Sequence, residues 1–304
     1  MDCLRNLSEL SCHSNNNSEL FHQLSRTCHN IQSLNITIRN VISDGLADLI
    51  SNQQNLKSLS INNCSDSDNF VKLFSSVTKL PNDLIKLHIG AGMHYTSLSL
   101  IFKFTNLREL SLTLYYHVED FETLQHVTFS QLQILKFKQQ CPNHEPLIKF
   151  LENNGKNLKE IHLRSSSDSL NLAIAKFCPN LKLLHAMFRE EEVETFKVIL
   201  NGCQQLESVS ITCNSKLLEV VAKCSPKNFY ELTVIYKRGI VQELEHFFIS
   251  WQNRASQKPL SLTILKIGGF TLFTYDVNEI NEISMEIIER FKKLCFIKKF
   301  EFIY

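Results

Sequence analysis

The side chains that could do chemistry in this 304-residue chain are its ten cysteines, its eleven histidines and its 32 lysines and arginines. Cys28, Cys178 and Cys203 each stand three residues before an apolar residue that begins a similar segment. A structural zinc site would pair cysteines at short spacing, and the sequence contains no Cys-x-x-Cys. The pattern therefore favours small buried side chains in a tight turn, and no metal is expected.

Sequence signatures of enzymes are also missing. The chain has no phosphate-binding glycine loop, no His-Glu-x-x-His, no Gly-x-Ser-x-Gly and no calcium-binding loop. Gly268 and Gly269 follow a predicted strand but lack the third glycine of a dinucleotide-binding motif. The sequence predicts a protein that is not an enzyme and uses no cofactor.

A set of basic residues recurs at related positions in the middle of the chain. It consists of Lys136, Lys138, His162, Arg164 and His185. If the segments that carry these residues are neighbouring strands, about 4.8 Å apart, they form one basic patch. Such a patch would bind an acidic or phosphorylated segment, with Arg164 able to make a forked contact. The alternatives are an ordinary solvated face, with Glu109 and Glu160 offsetting the charge, or a metal pair of His162 and His185.

Apolar residues accompany the basic ones at positions that are predicted to face outward. They are Ile134, Leu183, Met187 and Ile235, with Tyr115 and Tyr116 just beyond a strand. Exposed apolar residues beside a basic patch are typical of a groove that binds a peptide. The alternative is a scatter of surface hydrophobic residues without a partner.

These residues can share a surface only if a regular scaffold carries them, and the sequence contains an internal repeat. Apolar residues stand at positions 1, 4 and 6 of each repeat. The last two repeats begin 33 and 35 residues after the repeat before them, which are the longest intervals. The other intervals are 23 to 28 residues, as expected of leucine-rich repeats. Position 1 is occupied by Leu7, Ile31, Leu56, Leu84, Leu107, Leu132, Leu158, Leu181, Leu206, Phe229, Leu262 and Ile297.

Position 5 gives independent support for a strand in each unit. In the ten clear repeats it holds only polar residues, from Asn35 to Lys266, while positions 4 and 6 hold only apolar residues. This alternation predicts a half-exposed strand whose positions 3, 5 and 7 face outward.

Helical spacing follows the strands. Apolar stripes at intervals of three and four predict helices near residues 70–77, 193–200, 217–224, 241–251 and 280–294, the last from Ile280 to Leu294. Strand followed by helix requires parallel strands joined by right-handed crossovers. We expect one domain over residues 1–304, an α/β horseshoe of about 11–12 repeats with strands on the concave face and helices on the convex face.

The segments CHNIQSLNI (28–36), CPNLKLLHA (178–186) and CQQLESVSI (203–211) place cysteine three residues before position 1. They resemble the cysteine-containing leucine-rich repeats of F-box proteins, especially the fungal ones. The resemblance implies the substrate-recognition part of an SCF-type ubiquitin ligase receptor, acting in ubiquitin-dependent protein catabolism. The alternatives are a stand-alone binding or assembly scaffold and a small-GTPase regulator without a ligase link.

The F-box itself is not found in this sequence. The chain enters a repeat within its first ten residues, and the one similar string, LPNDLIKL (80–87), belongs to a repeat. A protein target is therefore expected on the concave face, and a Skp-type adaptor and cullin only if the full-length protein contains an F-box.

The charge and composition of the chain limit where the protein can be located and which kinds of partner it can bind. The net charge is +1, so no global basic surface indicates nucleic acid. The first residues lack the features of a signal peptide, and no apolar stretch is long enough to span a membrane. We therefore expect a cytoplasmic or nuclear protein with reduced thiols and no membrane partner.

Overall fold

The computed structural model describes residues 6–39, 42–63, 70–90, 98–114, 118–236, 241–254, 258–266, 282–294 and 296–303. The chain divides into two compact units, unit 1 (Met1–Leu158) and unit 2 (Lys159–Tyr304). Each unit is built from strands that alternate with helices, as the repeat predicts. The single domain over residues 1–304 stays a prediction.

Each unit contains a parallel sheet whose strand order is the order along the chain, with neighbouring strands hydrogen-bonded. The strands described in unit 1 are β1 (Glu9–His13), β2 (Ser33–Ile38), β3 (Ser58–Asn63), β4 (Lys86–Gly90), β5 (Glu109–Leu114) and β6 (Ile134–Gln139). Those described in unit 2 are β7 (Glu160–His162), β8 (Leu183–His185), β9 (Ser208–Thr212), β10 (Glu231–Tyr236), β11 (Leu260–Lys266) and β12 (Ile297–Ile303).

The strand register places equivalent repeat positions side by side. In unit 1, Leu34 pairs with Leu59, and Leu59 pairs with Leu87, so position 4 lies next to position 4. In the nine repeats from Ile31 to Phe229, every residue at positions 4 and 6 is at most 3% exposed. The predicted alternation is confirmed, since these residues form the core and positions 3, 5 and 7 face away from it. We call the surface formed by positions 3, 5 and 7 the outer strand face.

The predicted strand register was wrong in the eleventh repeat. The sequence pattern placed positions 1, 4 and 6 of the eleventh repeat at Leu262, Leu265 and Ile267. In the structure Leu262 pairs with Leu232, so Leu262 is position 4, Ile264 is position 6, and Leu265 moves to position 7. The burial agrees, because Leu262 is 1% exposed and Ile264 is fully buried, while Leu265 is only half-buried.

The helices lie in the connections between strands. Those described in unit 1 are α1 (Ser18–Thr27), α2 (Asp44–Ser51), α3 (Phe70–Val77) and α4 (His144–Asn154), with 3-10 turns at Leu98–Lys103, Val118–Leu124 and Gly155–Asn157. Those described in unit 2 are α5 (Asp168–Phe177), α6 (Val193–Gly202), α7 (Ser215–Cys224), α8 (Val241–Gln252) and α9 (Glu282–Lys293), with a 3-10 turn at Glu190–Glu192.

Polar caps fix where several helices begin. The side chains of Asn17, Ser43, Ser167 and Asn214 accept hydrogen bonds from main-chain N–H groups in the first turn. The predicted stripes then face the core, as Phe196 and Leu200 of α6 show. The prediction of a stripe ending at Leu294 was wrong, because α9 ends at Lys293 and Leu294 is 49% exposed. Ile280, the first residue of that stripe, lies outside the described residues. Among the helices that the structure describes, none is long and apolar enough to cross a bilayer.

A buried amide ties α2 to the loop of the preceding repeat. Gln53, fully buried, donates from Nε2 to the carbonyl oxygens of Cys28 and Leu49, each at 2.8 Å. Its Oε1 accepts from the N–H of Ile31 at 3.1 Å. Asn154 makes an equivalent set of three bonds at the end of α4. We call Gln53 and Asn154 the amide clamps, because they hold the entry to the neighbouring strand.

Candidate protein-binding surfaces

A chain of side-chain hydrogen bonds crosses the outer strand face of unit 1. His88 on β4 lies at its centre, with Nδ1 at 3.0 Å from Ser111 Oγ and Nε2 at 3.0 Å from Asn62 Oδ1. Asn62 in turn donates from Nδ2 to Asn35 Oδ1 at 3.3 Å. Four strands, β2 to β5, are therefore linked through groups that satisfy one another. Burial, and then the charge of Lys138, lower the pKa of His88, which favours the neutral ring.

A carboxylate paired with lysines lies beside this row of hydrogen bonds. Glu109 on β5 accepts from Lys136 Nζ at 3.0 Å and lies 3.9 Å from Lys86 Nζ. Lys136, predicted to belong to a basic patch, is thus paired with a carboxylate. Lys138 is exposed, and Ile134 is half-buried on the same strand, β6.

Two stacked histidines lie on β7 and β8 of unit 2. The rings of His162 and His185 are 5.8 Å apart between centroids, with planes inclined by 22°. Glu160 Oε2 lies 3.7 Å from His162 Nε2. Burial lowers the pKa of His185, and His162 and Arg164 lower it further. The His185 ring is therefore neutral at neutral pH, and Arg164 is the exposed permanent charge beside it.

Next to the histidines, the outer strand face of unit 2 has few charged residues. Leu183 and Met187 flank His185 and are half-buried. On β9 the outer positions hold Ser208, Ser210 and Thr212. The prediction that Ile235 on β10 is an exposed apolar residue was wrong, because it is only 4% exposed. Ser208 and Ser210 are 8% and 6% exposed, so the residues around them cover most of their surface.

The structure divides the predicted binding residues between the units. Ile134, Lys136 and Lys138 lie on β6 in unit 1, and His162, Arg164, Leu183, His185 and Met187 lie in unit 2. Tyr115 and Tyr116 lie outside the described residues. Partner binding by this set stays a prediction.

Sequence reasoning missed Ser210, although a signal for it existed. Ser210 stands at position 5 of β9, with serine and threonine at positions 3 and 7, between repeats whose outer residues are larger. Its Oγ is buried and, among the described residues, has no hydrogen-bond partner. A run of small residues in one repeat predicts a depression in the outer strand face, where a buried hydroxyl can lie.

The cysteines behave as packing residues. Cys28, Cys178 and Cys203 are fully buried, and Cys203 Sγ donates to the carbonyl oxygen of Cys178 at 3.4 Å. Burial raises the pKa of Cys203 to about 12, so the thiol stays neutral. In the described part of the chain, no cluster of three or more histidine, cysteine or acidic residues could hold a metal ion.

Comparison with known proteins adds evidence about the fold. The sequence matches no protein-family model and no curated protein. It resembles the structure of Rad7 in the Rad7–Elc1 complex of yeast, with 14% identity, a TM-score of 0.57, and coverage of 84% of this chain and 68% of that chain. The chain has a leucine-rich-repeat fold. Another similar structure is the leucine-rich repeat-containing protein LegL7 from Legionella pneumophila, with 12% identity, a TM-score of 0.44, and coverage of 81% of this chain and 98% of that chain.

Proposed function

We propose that this leucine-rich-repeat chain is a protein-binding scaffold, and that it forms the substrate-recognition part of an SCF-type ubiquitin ligase receptor. The observation that carries the proposal is the outer strand face. The side chains at positions 4 and 6 are buried in the core, whereas those at positions 3, 5 and 7 lie on the opposite face of the strands.

The mechanism is positioning rather than chemistry. Parallel strands about 4.8 Å apart present successive rows of side chains on a backbone held by strand pairing. The amide clamps and the buried core keep these rows in place, so that a target can bind without a large ordering cost. A ligase associated with the scaffold would then modify the bound target.

One observation supports the link to a ligase, and a second supports assembly with another protein. Cys28, Cys178 and Cys203 occupy one repeat position and are fully buried, in keeping with the cysteine-containing repeats of F-box proteins. Rad7, which shares this fold, has been solved in a complex with Elc1, an assembly of two proteins.

Affinity purification of the C-terminally tagged, full-length protein from its own cells tests the proposal. We expect mass spectrometry to recover a Skp-type adaptor and a cullin together with candidate targets. A stable partner without adaptor and cullin would mean a stand-alone scaffold, and a GTPase as that partner would favour a regulator. A Met187→Glu variant is the matched control, since it should lose targets that bind unit 2 and keep the adaptor.

A further inference from the structure

The outer strand face of unit 1 carries an excess of positive charge over the strands β4 to β6. At positions 3, 5 and 7 of these strands the ionised residues are three lysines and one glutamate, which give a net charge of +2. They are Lys86, Glu109, Lys136 and Lys138. The outer positions of β2 and β3 hold no acidic residue that could offset this charge. Because the whole chain has a net charge of only +1, the excess is a local concentration. We call the three lysines the lysine face.

The single carboxylate does not neutralise all three lysines. Glu109 accepts a hydrogen bond from Lys136 Nζ at 3.0 Å, whereas its other oxygen lies 3.9 Å from Lys86 Nζ, too far for a hydrogen bond. The Lys86 side chain is 62% exposed. Lys138 is also exposed, and in the part of the chain that the structure describes it makes no ion pair. Two ammonium groups, those of Lys86 and Lys138, are therefore available to a partner.

The surface between these two lysines is uncharged and already hydrogen-bonded. His88 and Ser111 stand opposite each other at position 5 of β4 and β5, and His88 Nδ1 lies 3.0 Å from Ser111 Oγ. Burial, and then the charge of Lys138, lower the pKa of His88, although Ser111 and Glu109 act in the opposite direction. A neutral ring that is held in place adds no charge and needs little rearrangement when a partner binds.

We propose that the lysine face binds an acidic segment of a partner protein, with one carboxylate at Lys86 and another at Lys138. This inference rests on the proposed scaffold function and adds the chemistry of the target. Lys86 stands at position 3 of β4 and Lys138 at position 7 of β6. Two strand spacings of about 4.8 Å and four residues of about 3.3 Å place their Cα atoms about 16 Å apart. An extended segment crosses that distance in about five residues.

Glu109 favours two separated carboxylates over a continuous polyanion. A strand of duplex DNA carries a negative charge about every 3.4 Å of helix axis, so several phosphates would lie between the two lysines and near Glu109. Like charges that face each other across an interface are disfavoured. A protein segment with uncharged residues between its two carboxylates avoids this repulsion.

Selection of peptides on the intact chain tests this inference. The probe is a phage-displayed library of random peptides of about 12 residues, longer than needed to cross the lysine face at about 3.3 Å per residue. We expect the enriched peptides to carry two aspartate or glutamate residues about five residues apart, with uncharged residues between them. Enriched peptides without acidic residues, or equal enrichment on a Lys86→Gln/Lys138→Gln chain, would overturn the proposal.

Three variants then place an enriched peptide on the lysine face, with its affinity measured by fluorescence anisotropy. Lys86→Gln and Lys138→Gln should each weaken binding by about two- to fivefold, the value of one exposed ion pair. Lys79→Gln is the matched control, since it removes an exposed lysine just after α3 and should leave binding unchanged. All three should keep the melting temperature, because the side chains are exposed. Equal losses in all three variants would mean an unspecific attraction and would also overturn the proposal.

The titration of His88 reports where the peptide lies. A carboxylate at Lys138 should raise the pKa of His88, because it offsets the positive charge that lowers this pKa. NMR measures the change on the ring signal that a His88→Gln variant lacks. Lys138→Gln should raise the pKa of His88 without any peptide. An unchanged titration of His88 in the peptide complex would contradict the placement at Lys138.

Failure of the lysine face as the site leaves the scaffold proposal standing, since the proteins that co-purify with the full-length protein test that proposal separately. Recovery of acidic peptides that need Lys86 and Lys138, without any adaptor in the purification, would instead keep the lysine face and remove the ligase. Tighter binding of a single-stranded DNA of about 12 nucleotides, lost in the double variant, would overturn a protein segment as the occupant.

Discussion

Replacing Gln53 by leucine should lower the free energy of unfolding by more than a typical single substitution does. Leucine keeps most of the volume but removes the amide of the first clamp. The N–H of Ile31 and the carbonyl oxygens of Cys28 and Leu49 then lose their bonds to Gln53 at a site where the side chain is fully buried. Each buried polar group left unsatisfied costs about 1–3 kcal/mol, so for three groups we expect a total loss of about 3–9 kcal/mol.

Urea unfolding followed by circular dichroism measures this loss, with the slope of the transition unchanged if only the folded state is affected. Hydrogen exchange gives a local readout, because the Ile31 amide should lose protection first. Gln54→Leu is the matched control, since the neighbouring side chain is exposed and its replacement should change stability by less than about 0.5 kcal/mol. Asn154→Leu should repeat the effect of Gln53→Leu.

A loss below about 1 kcal/mol, the value of one ordinary hydrogen bond, would refute the reasoning. Continued protection of the Ile31 amide would refute it separately, because the clamp is its bond in the folded chain. Either result would mean that the loop is held by its apolar residues alone.

Three further perturbations have definite expected outcomes. Burial raises the pKa of Cys203 to about 12, so mass spectrometry should find this thiol unmodified by iodoacetamide at about pH 8 until urea is added. Burial lowers the pKa of His185 from 6.5, which favours the neutral ring in the folded chain. The resulting stability is fully present above pH 6.5 and is lost as the pH falls through the folded-state pKa. The urea midpoint should therefore decline between about pH 7 and 5, and His185→Gln should make this decline smaller. A methyl group on Gly45 would lie 2.5 Å from the carbonyl oxygen of Ser18, so Gly45→Ala should cost about 1–3 kcal/mol, visible as a lower melting temperature.

The fold could be predicted because strand alternation is a local property of the sequence. Positions 4 and 6 repeat at regular intervals, and their burial follows from the two-residue period of a strand. The eleventh repeat failed because both registers place apolar residues at positions 4 and 6, while the true register has Pro259 at position 1 and the predicted one has Leu262 there. Leu265 fits position 4 of the wrong register, and only the pairing of Leu262 with Leu232 decides between them.

The contacts between repeats could not be predicted in the same way. Nothing in the sequence distinguishes Gln53, which is fully buried, from Gln54, which is exposed. The difference arises because only Gln53 can reach the main chain 22 and 25 residues earlier. Likewise, the sequence offered Glu109 and Glu160 only as an alternative that offsets the charge of the basic patch. It could not decide that Lys136 pairs with Glu109, since the pairing depends on side-chain reach between the neighbouring strands β5 and β6.

Ser111 and Ser210 show why residue type alone does not locate a binding surface in a repeat protein. Both occupy position 5, both are at most 6% exposed, and both follow and precede core residues of the same kind. A histidine on the preceding strand is paired in register with each serine, but His88 lies 3.0 Å from Ser111 Oγ, whereas His185 stacks on His162 and makes no hydrogen bond to Ser210. Residue type and repeat position together therefore do not decide whether a buried hydroxyl finds a hydrogen bond within the chain. The contact that the neighbouring histidine makes decides it, and that contact depends on the side chains of the next strand as well.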